Sequence, residues 1–502
     1  MTGTLQPQPS YFLSRWLFLR LLGLVYLVAF VSLAVQVVGL VGRNGVQPTS
    51  VMFDRARAAY GTMAYRLLPS IFWLCPGDAC LRVAAWGGAA LAGGVILGLA
   101  PVPLLVLLWA LYLSFSIAGQ VFLSFQWDAL LLETGLLAVL YAPGGWRPRL
   151  ASESPPPGVI RWLLWLLLLK LLFLSGVTKL ASGDPTWRGL TALAFHYGTQ
   201  PLPTPLSWYM HQLPLKFQEL SALVMFVAEI VLPFSILVPP RLQAVRSAGA
   251  AGVILFQLAI AATGNYAFFN LLTIVLCLPL LDDGVLWRLL PRSLGRAAAS
   301  TNRPQERWWK QRVHMVAGGF ILVLSVLVFV QEIRNTLPGG RMREPGLSDA
   351  VLAAAEPFRS INGYGLFRVM TTERPEIVIE GSEDGRQWLE YQFRWKPGDV
   401  QRRPTWVAPY QPRLDWQMWF AGLNPRENLP WLGMLLRRLV EGSPEVLALL
   451  DRNPFSAPPR YVRLAYYRYR FTSAEGRRAT GAWWEREFIA YLTPPLTLDQ
   501  LR

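Results

Sequence analysis

Long apolar runs fill the first two thirds of the chain, and an alternation of apolar with polar residues takes over in the last third. A hydrocarbon layer about 30 Å thick is crossed by a helix of roughly 20 apolar residues. Runs of this kind occupy Trp16–Val41, Leu81–Ala100, Val102–Leu123, Val159–Leu180, Leu220–Val238 and Val313–Val330. Shorter ones at Ala129–Ala142, Ala248–Ala262 and Phe268–Leu281 predict helices that are tilted, re-entrant or buried against neighbours. The first run is longer than a signal-peptide core and lacks a cleavage site, so it reads as a retained helix. The pattern predicts a multi-pass α-helical membrane protein of about 8–9 transmembrane helices.

After Gln331 the period changes. Glu376–Glu380 and Trp388–Trp395 alternate around Ser382-Glu383-Asp384-Gly385, and Arg460–Phe471 and Trp483–Tyr491 around Glu475-Gly476. Both pairs read as hairpins. Between them, Trp431–Val440 and Pro444–Leu450 read as helices, the second ended by Asn453-Pro454. Residues 1–331 therefore read as a transmembrane domain with outer loops at 43–80 and 182–217. Residues 332–502 read as a C-terminal antiparallel β-rich domain with a helical insert.

Charge decides orientation. Only 16% of residues are charged, against about a quarter in soluble domains, while 53% are hydrophobic. The net charge of +16 sits largely in short loops: Arg15 and Arg20, then Arg147, Arg149 and Arg161, then Arg241 and Arg246, then Arg288 through Arg312. Alternating spans put all of these on the N-terminal side, which the positive-inside rule makes cytoplasmic. The β-rich domain is then extracytoplasmic. Arginines in loop 43–80 weaken this bias without reversing it. No Lys/Arg stripe with interleaved stacking aromatics marks a nucleic-acid groove, so the bilayer is the expected partner.

Ionisable groups beside the spans are the candidate chemistry, because burial there needs a partner or a function. Asp128 and Glu133 are five apart and do not stack on one helix face; Asp128 reads as a helix N-cap. Lys179 reads as a snorkelling amine paired with Asp184, or, more sharply, as a base with Asp128, Glu133 or His196 nearby. Glu229, in mid-span, calls for a buried cation such as Lys170 or Arg161. Loop 182–217 carries Asp184, Trp187, Arg188, His196 and Tyr197 among prolines, an aromatic belt or the roof of a cavity. Cys75 and Cys80 can close a small disulfide loop on an oxidising side and stay reduced otherwise. There is no HExxH, GxSxG, P-loop or Rossmann fingerprint, and three scattered histidines make no metal centre. No cofactor is expected.

Longer stretches carry more. Trp127-Asp128-Ala129-Leu130-Leu131-Leu132-Glu133-Thr134-Gly135, Ser175 through Asp184, and His196-Tyr197-Gly198-Thr199-Gln200-Pro201-Leu202-Pro203 are three of them. Lys396-Pro397-Gly398-Asp399, Pro412-Arg413-Leu414-Asp415-Trp416-Gln417-Met418-Trp419-Phe420 and Asn453-Pro454-Phe455 are others. Together they resemble the lipase maturation factor family over most of the chain, with Gly198 standing where the family usually has Glu. The resemblance implies a membrane-anchored factor that assists folding and assembly of secreted proteins, by that likeness lipases, rather than an enzyme. It implies the endoplasmic reticulum membrane, or, given the Ala/Arg/Gly/Pro-rich composition, a bacterial inner membrane with the C-terminal domain periplasmic. Arg413, Asp415, Trp416 and Trp419 become candidates for a partner-binding face, against an Arg413–Asp415 ion pair with packed tryptophans. A second likeness, Gly176-Val177-Thr178-Lys179-Leu180 with Asp184 and Trp187, is similar to the lysine segment of vitamin K-dependent γ-carboxylases. It implies the alternative of an intramembrane enzyme using Lys179 as base.

Overall fold

The computed structural model describes residues 9–300, 303–336 and 346–501. Every apolar run forms a helix: α1 Phe12–Ala34, α2 Asp78–Ile96, α3 Pro101–Ala118, α4 Gln126–Tyr141, α5 Gly158–Ala181, α6 Leu215–Phe226, α7 Gln243–Thr263, α8 Phe269–Cys277 and α9 Trp308–Thr336. Seven helical segments are long and apolar enough to cross a membrane among the described residues. They are α1, α2, α3, α5, α7, α9 and the continuous segment Leu215–Leu237 that α6 begins. α4, with 16 residues, and the apolar segment Phe269–Leu280 are shorter. Seven full spans and two short helices match the expectation of about 8–9.

Local chemistry sets the breaks. Pro101 opens α3, where its missing N–H costs nothing. Pro233 would clash with the carbonyl of Glu229 in a regular helix, and the backbone instead widens to a π-turn over Val227–Val231. Gly88 on α2 lets the Phe30 ring of α1 sit against the backbone; a Cβ there would lie 2.4 Å from that ring.

The C-terminal part holds a four-stranded antiparallel sheet: β1 Arg374–Ser382, β2 Leu389–Glu390, β3 Tyr461–Phe471 and β4 Trp484–Tyr491, in the order β2-β1-β3-β4. In the first hairpin, Asp384 accepts the amides of Arg386 and Gln387, and Gly385 takes φ +73°. Its second strand is only two residues long, shorter than Trp388–Trp395. Gln392 bridges to Arg452 instead, and Arg394 bonds the Leu450 carbonyl at 2.9 Å. Two helices, α10 Arg413–Leu423 and α11 Pro425–Val440, follow; α10 lies where no helix was expected. It packs so closely on β1 that a Cβ on Gly422 would stand 2.6 Å from the Pro375 carbonyl.

Loops collect at two ends. At one, Asp283 accepts the first amides of α1 from Phe12 and Leu13, and Arg15 meets Glu153 at 3.1 Å. The Arg161 guanidinium lies over the Tyr11 ring. At the other end, loop 43–80, the α3–α4 turn, loop 182–217 and the Gly264–Phe268 break all meet the sheet domain. A Cys75–Cys80 disulfide lies in the first of these.

Candidate functional site: the joint between bundle and sheet domain

Most of the quoted stretches converge on one joint, whereas Asn453-Pro454-Phe455 packs inside the sheet domain against Tyr391 and Gly381. Asp128 is not an N-cap. It is the third residue of α4, with Phe125 as the cap, and its Oδ2 accepts the Phe125 amide at 3.4 Å. Both carboxylate oxygens receive the Arg413 guanidinium, at 2.9 and 3.0 Å, and Tyr112 donates to Oδ1 at 2.5 Å. Arg413 also bonds the Phe122 carbonyl at 2.6 Å and is fully buried. Its own amide donates to Gln36, two residues past the end of α1, whose side-chain amide donates to the Gln411 carbonyl at 2.7 Å. The partner of Arg413 is therefore not Asp415 but a carboxylate 285 residues earlier.

Glu133 lies one and a half turns further along α4. One oxygen meets Lys170 of α5 at 2.5 Å. The other accepts the Asn362 amide at 3.0 Å and the Tyr364 hydroxyl at 2.7 Å, both from the segment leading into the sheet. A buried charge pair is retained only when its remaining lone pairs are satisfied, and Glu133 meets that condition.

Lys179, near the end of α5, is buried and bonds both oxygens of Glu229 at 2.7 and 2.8 Å. This replaces both expected pairings, Lys179 with Asp184 and Glu229 with Lys170 or Arg161. A lysine held by both carboxylate oxygens is the compensation membrane burial demands. The π-turn at Val227–Val231 carries Glu229, and Gly176 leaves room for its approach; a Cβ there would be 3.1 Å from the Glu229 Cβ. Asp184 caps the short helix Pro185–Arg188 by accepting the Thr186 amide at 2.7 Å and takes the Met370 amide on its other oxygen at 2.7 Å. Burial would lift its pKa, but these hydrogen bonds win and hold the carboxyl below the usual range. Trp187 donates to the Phe367 carbonyl at 2.9 Å, whereas Arg188 is exposed.

Loop 182–217 supplies His196 and Tyr197. The Tyr266 hydroxyl stands 2.9 Å from His196 Nε2 and donates to Gln200 Oε1 at 2.9 Å. One hydroxyl has one proton, so the network assigns the neutral imidazole its proton on Nε2. Nδ1 is buried and has no hydrogen-bond partner. Burial, with the Lys179 charge adding, pushes the imidazole down to about 4. Tyr197 is buried beside it.

The four residues proposed as a binding face are all buried. Asp415 accepts the amides of Trp395 and Lys396 at 2.8 and 2.9 Å; burial raises its carboxyl in spite of them. Trp416 meets Trp127 edge-on at 4.7 Å between ring centres. Trp419 donates to the Thr199 carbonyl at 2.8 Å. Arg413, Trp416 and Trp419 thus join the sheet domain to the bundle, while Asp415 ties α10 to the segment after β2 within the sheet domain.

Sequence reasoning missed Arg374. Fully buried, it pairs with Glu376 at 2.8 Å while Lys396 takes the other oxygen at 2.8 Å. The same guanidinium binds the carbonyls of Gly198, Gln200 and Pro201, so Gly198 contributes backbone rather than charge. The available signal was Arg374-x-Glu376, which a strand places on one face. Tyr112, Tyr364 and Gln36 gave no such sign. Among the described residues no three His, Cys, Asp or Glu side chains are placed to hold a metal ion.

The comparisons follow the same division. Residues 13–288 match the family model described as lipase maturation factor transmembrane domain, and residues 360–494 match lipase maturation factor C-terminal domain. Lipase maturation factor 2 of Gallus gallus is 35% identical, over 96% of this chain and 81% of its own. The Homo sapiens protein of that name is 36% identical, over 97% and 83%. Lipase maturation factor 1 of Bos taurus is 34% identical, over 98% and 90%. No solved structure matches the chain.

Proposed function

The chain belongs to the lipase maturation factor family and is a multi-pass membrane protein, and from that premise we propose that it assists the folding of exported lipases at the membrane surface. The observation that carries the reading is the continuity of the match: it runs through bundle and sheet domain alike and covers at least four fifths of each relative named above. The client is met outside the cytoplasm. Two features favour that side: the basic loops gather at the end away from the sheet domain, and the Cys75–Cys80 bond lies at the sheet-domain end. An endoplasmic reticulum lumen and a bacterial periplasm both meet these conditions.

With Arg413, Asp415, Trp416 and Trp419 enclosed, the client contact is better sought on β4. Its residues from Glu485 to Tyr491 are all exposed, and Phe488, Ile489 and Tyr491 offer apolar surface along an edge strand. Such an edge suits an extended segment of an incompletely folded chain.

The test is the activity per secreted molecule of a lipase co-expressed with this chain in cells that lack other family members. The wild type raises it, and a Phe488→Asp/Ile489→Asp variant that still inserts and folds does so less. Equal lipase activity with and without the chain defeats the maturation role. Full activity with the double variant defeats only the placement on β4.

A further inference from the structure

The end of the bundle away from the sheet domain holds a cleft of about 430 Å³ between the loop after α4 and the start of α9. Arg147, Arg149, Arg307 and Lys310 line it, with Glu153 and Glu306 as the only carboxylates among its lining residues. Both carboxylates are engaged, Glu153 by Arg15 at 3.1 Å and Glu306 by His314 at 3.1 Å. Among the described residues, none of the four cations has a carboxylate within ion-pair distance. The cleft therefore presents uncompensated positive charge.

Its depth is marked by tryptophan. Trp146 lines the cleft and is 82% exposed, and Trp308 and Trp309, 66% and 45% exposed, begin α9 beside it. Exposed indoles at the end of a span settle at the boundary between water and lipid. A basic cleft at that level faces headgroups rather than bulk solvent.

We propose that this cleft binds the headgroup of an anionic phospholipid, its phosphate held by Arg147, Arg149, Arg307 and Lys310. The proposal rests only on the chain's spanning a membrane and is independent of the lipase reading. The loop of the cleft lies inside the first matched segment and its α9 wall lies between the two, so the site joins a family element to a part outside both matches.

The full chain, purified in a neutral detergent and examined by native mass spectrometry, is offered phosphatidylglycerol and phosphatidylcholine with identical acyl chains. The wild type retains phosphatidylglycerol preferentially. At about 1 kcal/mol per cation, Arg147→Gln/Arg149→Gln lowers the preference about 30-fold and Lys310→Gln alone about 5-fold. Arg288→Gln/Arg292→Gln removes two charges from the same end outside the cleft and leaves the preference intact. The single Lys310→Gln variant keeps the test valid if the double variant inserts poorly. Equal retention of both lipids by the wild type overturns the proposal, as does an equal loss in the two double variants. Displacement of the lipid by millimolar glycerol phosphate overturns the lipid assignment in favour of a free phosphate.

Discussion

The two ends of the bundle handle buried and basic charge in opposite ways. At the sheet-domain end, Asp128 has Arg413, Glu133 has Lys170 with Tyr364 and Asn362, Glu229 has Lys179, and Glu376 has Arg374 and Lys396. At the other end Arg15 is matched by Glu153, while Arg147, Arg149, Arg307 and Lys310 are left to water and headgroups. Protein groups replace water around charge at the first end; at the second they do so for the buried Arg15 and Arg246, while the four cleft cations are left without a carboxylate. Substitutions at the first end should therefore cost stability, and substitutions at the second should alter orientation and lipid preference.

Breaking the joint gives the largest effect. Arg413→Ala leaves Asp128 buried without its cation and should cost about 3–5 kcal/mol in detergent unfolding, with the sheet domain becoming open to protease. Asp128→Ala/Arg413→Ala should recover part of that loss; a shift under 1 kcal/mol for the single variant would mean that the pair is not buried in solution. Acid should strain the same end next. His196 titrates at about 4 in the fold, below its ordinary 6.5, so the unfolded chain binds the extra proton between those values. Stability then falls as pH drops from 6.5 to about 4, by up to about 3 kcal/mol. Melting curves for His196→Asn should be flatter across this window, and an unchanged slope would clear His196 of the effect.

Smaller perturbations sharpen the contrast. Gly422→Ala forces a methyl against the Pro375 carbonyl and should cost about 1–3 kcal/mol. Trp419→Phe keeps the packing but gives up the bond to the Thr199 carbonyl, for a loss of about 0.5–1.5 kcal/mol by the same melting assay. At the far end, Arg288→Gln should stay within about 0.5 kcal/mol of wild type. A loss there comparable to that of Arg413→Ala would erase the distinction between the ends.

Much of this architecture was legible because it is local. Apolar runs of about 20 residues announce spans whatever surrounds them, and the Asp384-Gly385 turn announces its hairpin. What stayed hidden depends on distance along the chain. Asp128 and Arg413 carry no mark of each other, and the nearer Asp184 and Asp415 looked like the natural partners of Lys179 and Arg413. The true carboxylates stand 50 and 285 residues away. The short β2 had the same cause: Trp388–Trp395 alternates as a strand should, but Gln392 is drawn off to Arg452. Burial of Trp416 and Trp419 was equally invisible, since a tryptophan that packs and one that greets a partner are the same letter.

Synthesis proceeds from one terminus, and this gives the Asp128–Arg413 contact a place in time. At about 5–20 residues per second, the guanidinium leaves the ribosome roughly tens of seconds after the carboxylate it will neutralise. Through that interval Asp128 has no guanidinium to receive, and the joint stays open. Arrival of Arg413 closes it, like a keystone set after the arch.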